Sequence, residues 1–419
     1  MNKTSSEVVV IGGGPTGISA AIAAEEAGSK AFLIEKNGFL GGTPVSGRPG
    51  AFCGFYTSEP KPNQIVKGIA DKMLEYMKKE DAIYGPVNVN GMIVLFYDLP
   101  VLKMVVDKMV TDSGIDILMH SQLVESKVKD GMITSVKVAS KSGMIKIEGK
   151  MFIDATGDAD LAYLSGVKCV KSKELQPGSI MYRLGNVDME KSRAFVRSGK
   201  LEEAINRANS SGEFYISRHD GLILPTPRPN EAVIGFSHIP VDATDTLSLT
   251  KAELKAHVEV NESFRLLKNR VPGFENSYIL DMASSVGIRE TRRLAGQYVL
   301  REEDVLTAAK FDDGICRCAW PIELHTKKST QLRFLKAGEW YDIPFRCCLP
   351  KEIHNLLVAG RSMSCDGQAQ ASCRVVAPSM AVGQACGTAC AISVKRKAGL
   401  KELDIMHLKE ALRNQGAYV

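Results

Sequence analysis

Nowhere in these 419 residues is there a run of about 18 uninterrupted apolar residues, the length a membrane-crossing helix requires. Net charge is sparse as well: 53 Lys and Arg against 48 Asp and Glu leave +5, and the densest basic run, Lys395-Arg396-Lys397, sits beside a glycine near the C-terminus. That pattern gives no reason to expect a nucleic-acid partner or a membrane surface. CxxC spacing is missing, so the ten cysteines carry no simple zinc or iron–sulfur signature, and no metal is expected. No export signal is expected either, because Thr4-Ser5-Ser6-Glu7 leads straight into a strand-like run. A cytoplasmic protein with reduced thiols is the expectation.

What is present begins at Glu7. The segment EVVVIGGGPTGISAAIAAEEAGSKAFLIEK holds an apolar run at Val8 to Ile11, a glycine turn, a small-residue helical stretch, and a second apolar run at Ala31 to Ile34 closed by Glu35. This is the strand–helix–strand dinucleotide fingerprint in its full context. Gly12 permits the tight turn, Gly14 lets the backbone approach a pyrophosphate, and Gly17 lets helix and strand pack closely. The helix that starts at Pro15 and Thr16 offers unpaired N–H groups to phosphate. Glu35 stands where a carboxylate accepts bonds from a ribose diol, which disfavours a 2′-phosphate.

Three further stretches carry a resemblance. Lys36-Asn37-Gly38-Phe39-Leu40-Gly41-Gly42-Thr43, Phe152 to Asp160 (FIDATGDAD) and Asn355 to Ser362 (NLLVAGRS) resemble FAD-dependent oxidoreductases of the glutathione reductase and fumarate reductase flavoprotein superfamily. GIRETRRLAGQYVLREEDV, YDIPFRCCLP and the C-terminal Gln415-Gly416-Ala417-Tyr418 resemble one poorly characterised group within it. The resemblance implies non-covalent FAD, since Thr43 stands near where some relatives carry a tethering histidine. It implies cofactor contacts at Gly12, Gly14, Pro15, Thr16, Gly17, Glu35 and Lys36; at Gly41, Gly42, Thr43 and Arg48; at Val124; at Thr156, Gly157 and Asp158; and at Gly360, Arg361, Ala377 and Met380. No second GxGxxG follows a strand, so a separate NAD(P)H domain is not expected.

The expected fold is α/β: a Rossmann-like FAD-binding domain, parallel sheet plus β-meander, with an inserted α+β cap. Residues 1–165 form its first segment, 166–285 the cap and 286–419 the second segment. Leu123-Val124 and Ile133 to Val138 read as meander strands around a turn at Asp130-Gly131. Ile65 to Lys79 reads as a helix with one apolar stripe, Thr250 to Lys268 as a cap helix, and Pro378 to Val394 as a helix whose N-terminal end meets the flavin, with Cys365 and Cys373 on its approach loop and Arg374 just before it.

Candidates for chemistry are fewer. Arg374 could place a cation by the flavin or grip a substrate carboxylate, and Arg289 could reach an anionic substrate from the cap side. Cys365 and Asp366 are candidates where substrate and flavin meet, Asp366 as an acid or base. Cys386 and Cys390 share one helical face and read as packing residues. Arg218, His219, Asp220, Arg228 and His238 are the polar cap residues expected to meet a substrate. The expected reaction is hydride transfer between flavin N5 and a small organic, anionic substrate, as dehydrogenation or C=C reduction, with an external electron donor or acceptor. An oxygen-using oxidase or monooxygenase, and a non-catalytic electron-transfer subunit, stand as alternatives.

Overall fold

A computed structural model describes residues 4–419. In chain order the elements that place the site are β1 (Thr4–Ile11), α1 (Pro15–Glu26), β2 (Ala31–Ile34), α2 (Gly42–Ser46), α3 (Ile69–Lys79), β3 (Asp116–Leu118), β4 (Gln122–Lys129), β5 (Met132–Ser140) and β6 (Gly143–Asp154). There follow β7 (Tyr182–Gly185), β8 (Ile223–Pro225), β9 (Glu231–Ile234), α4 (Thr246–Arg270) and β10 (Tyr278–Met282). The last are β11 (Ile322–His325), β12 (Thr330–Arg333), β13 (Leu356–Val358), α5 (Gly367–Cys373) and α6 (Val376–Arg396).

The apolar run Val8 to Ile11 is buried because β1 lies inside a parallel sheet, paired to β2 (Val8↔Ala31, Ile11↔Ile34) on one side and to β6 (Val10↔Ile153) on the other. The strand order is β3-β2-β1-β6, with β13 parallel to the end of β6. β6 is 12 residues long, and its first half pairs antiparallel with β5, which pairs with β4. One strand thus belongs to both the parallel sheet and the meander. The meander turn falls at Asp130-Gly131, both at positive φ (49° and 71°), as a tight hairpin requires.

The cap sheet has the order β8-β9-β7-β10 and its own apolar core with α4, including Tyr182, Phe236, Val260 and Leu266. Ile223, Leu224, Val233 and Ile234 fall on paired strands, with Leu224 opposite Val233. The helix expected over Thr250 to Lys268 begins at Thr246, since Asp245 caps it by accepting from the Leu247 N–H.

Two expectations are corrected. The helix expected from Ile65 starts at Ile69, because Gly68 sits at φ 72° and Ile65 and Val66 are buried in an extended lead-in. The helix expected from Pro378 to Val394 is α6, with Arg374 just before it, but the approach expected as a loop contains a helix of its own, α5, set at 93° to α6. Pro378 explains the break: it offers no N–H to the Arg374 carbonyl, and its ring crowds that carbonyl.

Candidate cofactor and substrate site

The glycine turn is packed to contact. A Cβ on Gly12 would lie 2.4 Å from the Ala155 oxygen, and one on Gly17 would lie 1.8 Å from the Gly12 oxygen. Gly14 differs: its Cβ position meets only the Cα of Gly42 at 3.8 Å, and as the α1 N-cap it supplies no side-chain bond to the first turn. The Gly41 N–H donates to the Gly13 oxygen at 2.8 Å, so Gly41 and Gly42 run alongside that turn. Glu35 is buried, with one carboxylate oxygen accepting from the Gly13 N–H at 2.6 Å and the other from the backbone and side chain of Asn37. The oxygen bound to Gly13 keeps a lone pair for a ribose hydroxyl, while the other already accepts twice from Asn37. Lys36 and Thr43 are exposed beside these positions.

α6 lies directly on α1. Cβ atoms on Gly383 and Gly387 would fall 2.2 Å from the Thr16 oxygen and 2.0 Å from the Ala20 oxygen, so only glycine permits this approach. Gly360, at φ 75°, abuts the Thr16 hydroxyl in the same way. Cys386 and Cys390 are wholly buried in α6 among small residues. The N-cap of α6, Val375, has no side chain able to bond the first turn, which contains Ala377 and Pro378, with Met380 just beyond it. Two helix N-termini, of α1 and α6, are therefore left uncapped by protein, and a small apolar cavity lined by Pro15, Gly41, Pro44, Val376 and Met380 lies between them. With the buried Glu35 carboxylate, this is a donor set that fits FAD: phosphate at α1, ribose at Glu35 and the flavin at α6.

Other expected cofactor residues are committed to shaping the loop. The Thr156 hydroxyl donates to Asp154 at 2.7 Å, and Asp158 accepts from Arg361 at 2.8 Å and Thr291 at 2.7 Å. The Val124 side chain is exposed, and a bulge between Leu123 and Glu125 leaves its backbone outside the ladder, so only its main chain is free for a ligand. Arg48 is turned to the cap, paired to Asp281 at 2.5 Å, and Asp281 is held from the other side by Arg183. That is a strut between the two parts of the molecule, and it commits the Arg48 guanidinium, expected among the cofactor contacts, to Asp281.

The arginines sort themselves by partner. Arg292 pairs with Asp160 and stacks on Tyr163, Arg293 pairs with Glu290, and Arg228 pairs with Asp98 at 2.5 Å. Among the described residues Arg289 and Arg374 have no carboxylate within ion-pair distance. Arg289 donates to the Pro177 oxygen at 2.6 Å and the Ser179 hydroxyl at 2.9 Å. Arg374 makes one long bond, 3.4 Å to the Glu323 backbone oxygen, and its Nε is buried without a partner. Both keep some solvent contact although protein surrounds them, as side chains lining an internal cleft do. Burial and the neighbouring charges of Arg374 and Arg218 pull Arg289 well below the usual guanidinium range.

Four residues not singled out as site residues complete the cleft. The Gln370 side chain donates to the Arg289 backbone oxygen, Gln176 donates to Gln370, and the His325 backbone N–H donates to Gln176. Glu323 and His325 alternate on β11, on one face of the strand, which is the signal that could have linked them. With Arg218 bound to Asp220 at 2.8 Å, three guanidiniums face two carboxylates, leaving one positive charge unmatched.

Two expected catalytic residues are corrected. Asp366 is the N-cap of α5: one oxygen accepts from Gln368 and Ala369 N–H, the other from the Glu302 N–H at 2.9 Å, so no free carboxylate remains for acid–base work. The Cys365 thiol is buried, donates to the Met363 oxygen and neighbours Cys373 in a thiol-rich core.

A parallel sheet with a glycine turn, a ribose-binding carboxylate and a second helix end aimed at the same ligand defines a dinucleotide-binding oxidoreductase. The profile of the family described as FAD dependent oxidoreductase matches residues 7–412, and the chain belongs to that family. FAD is its cofactor. Digeranylgeranylglycerophospholipid reductase of Picrophilus torridus is 27% identical over 201 residues, 45% of this chain and 49% of the relative. Thiamine thiazole synthase of Methanococcus aeolicus is 27% identical over 174 residues, 39% of this chain and 59% of the relative. The matches span about half the length of these curated relatives. The solved structure of BexE, described in a study of oxidation during BE-7585A biosynthesis, shares the fold at 13% identity with a TM-score of 0.51, covering 98% of this chain and 69% of that one.

Proposed function

We propose that this oxidoreductase moves a hydride between bound FAD and a small organic anion held in the cleft between the cap and α6. The observation that carries this is the pair Arg289 and Arg374, two enclosed guanidiniums without a carboxylate of their own. Keeping a cation enclosed and unpaired is unfavourable unless a ligand supplies the counter-charge. Planar guanidiniums match a carboxylate in two-point fashion, so they would fix an acid's orientation as well as its charge. FAD when bound supplies the two-electron redox chemistry. The α6 N-terminus beside Arg374 places positive potential where negative charge accumulates on reduction.

The same reading assigns the chain to the glutathione reductase and fumarate reductase superfamily, supported by the GGGPTG turn, the Gly41-Gly42 pair and the ATG segment. It makes the electron partner external, since the sequence offers one dinucleotide fingerprint. The test is anaerobic: the flavoprotein is mixed with a panel of small carboxylic acids and neutral analogues while its visible absorbance is followed. Bleaching by an acid, lost in Arg374→Ala with flavin content intact, is the expected result. Bleaching only by uncharged compounds would refute it.

A further inference from the structure

We propose that Glu323, His325 and His238 form one acid–base chain that exchanges a proton with the ligand of this cleft at the Glu323 carboxyl; the idea rests on reading the cleft as the substrate site.

The chain is continuous. One Glu323 oxygen lies 3.3 Å from His325 Nε2, and His325 Nδ1 lies 3.1 Å from His238 Nε2, with the rings edge to face at 89°. The other Glu323 oxygen accepts from the Trp320 indole N–H at 3.0 Å, and the Thr330 hydroxyl lies 3.3 Å from His325 Nδ1. One end is open and the other is shut: the Glu323 side chain is 20% exposed, whereas His325 is 4% exposed and His238 is 1% exposed. His238 Nδ1 is buried with no hydrogen-bond partner. Arg289 and Arg374 flank Glu323 and His325, while Arg289 and the Arg218–Asp220 pair flank His238.

These contacts set the tautomers. An ionised Glu323 accepts only, so His325 carries its proton on Nε2; His325 Nδ1 then accepts, so His238 also carries its proton on Nε2 and its Nδ1 is bare. Burial, then the charge of Arg289, keeps both imidazoles neutral, with His325 pulled down to about 3 and His238 to about 2. Burial alone would raise the Glu323 carboxyl, but the bond from His325, the charge of Arg374 and the Trp320 indole hold it well below the usual carboxylate range. With the inner end closed, a proton enters or leaves the chain at the Glu323 carboxyl facing the cleft, and the two neutral imidazoles, each with its proton on Nε2, hold that carboxyl in place.

The chemistry balances with the bound cofactor. In oxidation of a substrate H–C–X–H, the C–H bond breaks with its electron pair leaving as hydride to FAD, the X–H bond breaks with its proton going to Glu323, and C=X forms. The substrate is oxidised by two electrons and FAD reduced by two. In the opposite direction Glu323, protonated from the open cleft side, gives the proton to the substrate and the carboxylate re-forms.

The experiment uses 15N-histidine-labelled holoprotein, with His238 and His325 assigned by single His→Gln variants and acetate as the anion probe. Long-range 1H–15N spectra should show Nε2–H and a bare Nδ1 on both rings. Glu323→Gln should shift the His238 resonances as well as those of His325, and acetate should shift His325 in the wild type, with loss of that response in Arg289→Ala. A proton on His238 Nδ1, which the wild type reports without any variant, overturns the chain; so does a His238 spectrum indifferent to Glu323→Gln. Absence of any acetate response counts instead against the anion site beneath the proposal, and the two failures are distinguishable.

Discussion

Glu35 holds the chain together before it holds any ligand, since its two oxygens tie Gly13 to Asn37. Glu35→Gln removes a charged acceptor from both tasks, and a loss of about 1.5–3 kcal/mol follows from the usual strength of bonds to charged groups. FAD affinity, measured by flavin fluorescence on dilution, should fall roughly tenfold to a hundredfold. Asp160 makes a pH prediction. Burial, then the charges of Asp158 and Asp154, raise its pKa from 3.8 to about 6 despite the Arg292 pair. The folded state thus holds this proton more tightly than the unfolded one, so the contribution is full below 3.8 and is lost as pH rises through about 6. Urea midpoints should show the wild type losing ground to Asp160→Asn between pH 4 and 6. A difference that stays flat over that range would show that Asp160 is not the responsible group.

At the scale of elements, the α1–α6 contact tolerates no volume. Gly387→Ala puts a methyl 2.0 Å from a backbone oxygen that cannot yield without moving α1, and should cost at least the roughly 1–3 kcal/mol of overpacking, together with flavin content. Asp366→Ala, at a helix cap outside that contact, should cost about 0.5–2 kcal/mol and spare the flavin spectrum. Thermal melts with and without added FAD separate the two. The elements also show what a sequence can and cannot disclose. β1, α1, β2 and the meander were legible because apolar period, glycine position and the Asp130-Gly131 turn all agree locally. The start of α6 was legible from Pro378, whereas α5 was hidden because its seven residues are too few to show a helical period. Asp366 could be taken for an acid because an N-cap is recognised only once the helix start is known. Arg289 and Arg292 could not be told apart, since what distinguishes them is whether Asp160 lies in reach, a contact across more than a hundred residues of sequence.

The whole molecule joins its cap to the cofactor domain through charged struts, Arg48–Asp281–Arg183 on one side and Arg228–Asp98 on the other. No covalent attachment of the flavin is expected from Thr43, so acid precipitation should leave yellow colour in the supernatant; colour retained in the pellet would contradict that. The α1–α6 contact has a last consequence, for the order of events during synthesis. The backbone face of α1 is covered by Gly383 and Gly387, and the Ala23 carbonyl accepts from Gln415, 392 residues further along the chain. At about 5–20 residues per second, the ribosome needs roughly 20–80 s between making the first helix and releasing the segment that shelters it. Through that interval the nascent nucleotide site has only one of its two helix ends, so cofactor capture waits until α6 has been made, and chains truncated before α6 should emerge colourless.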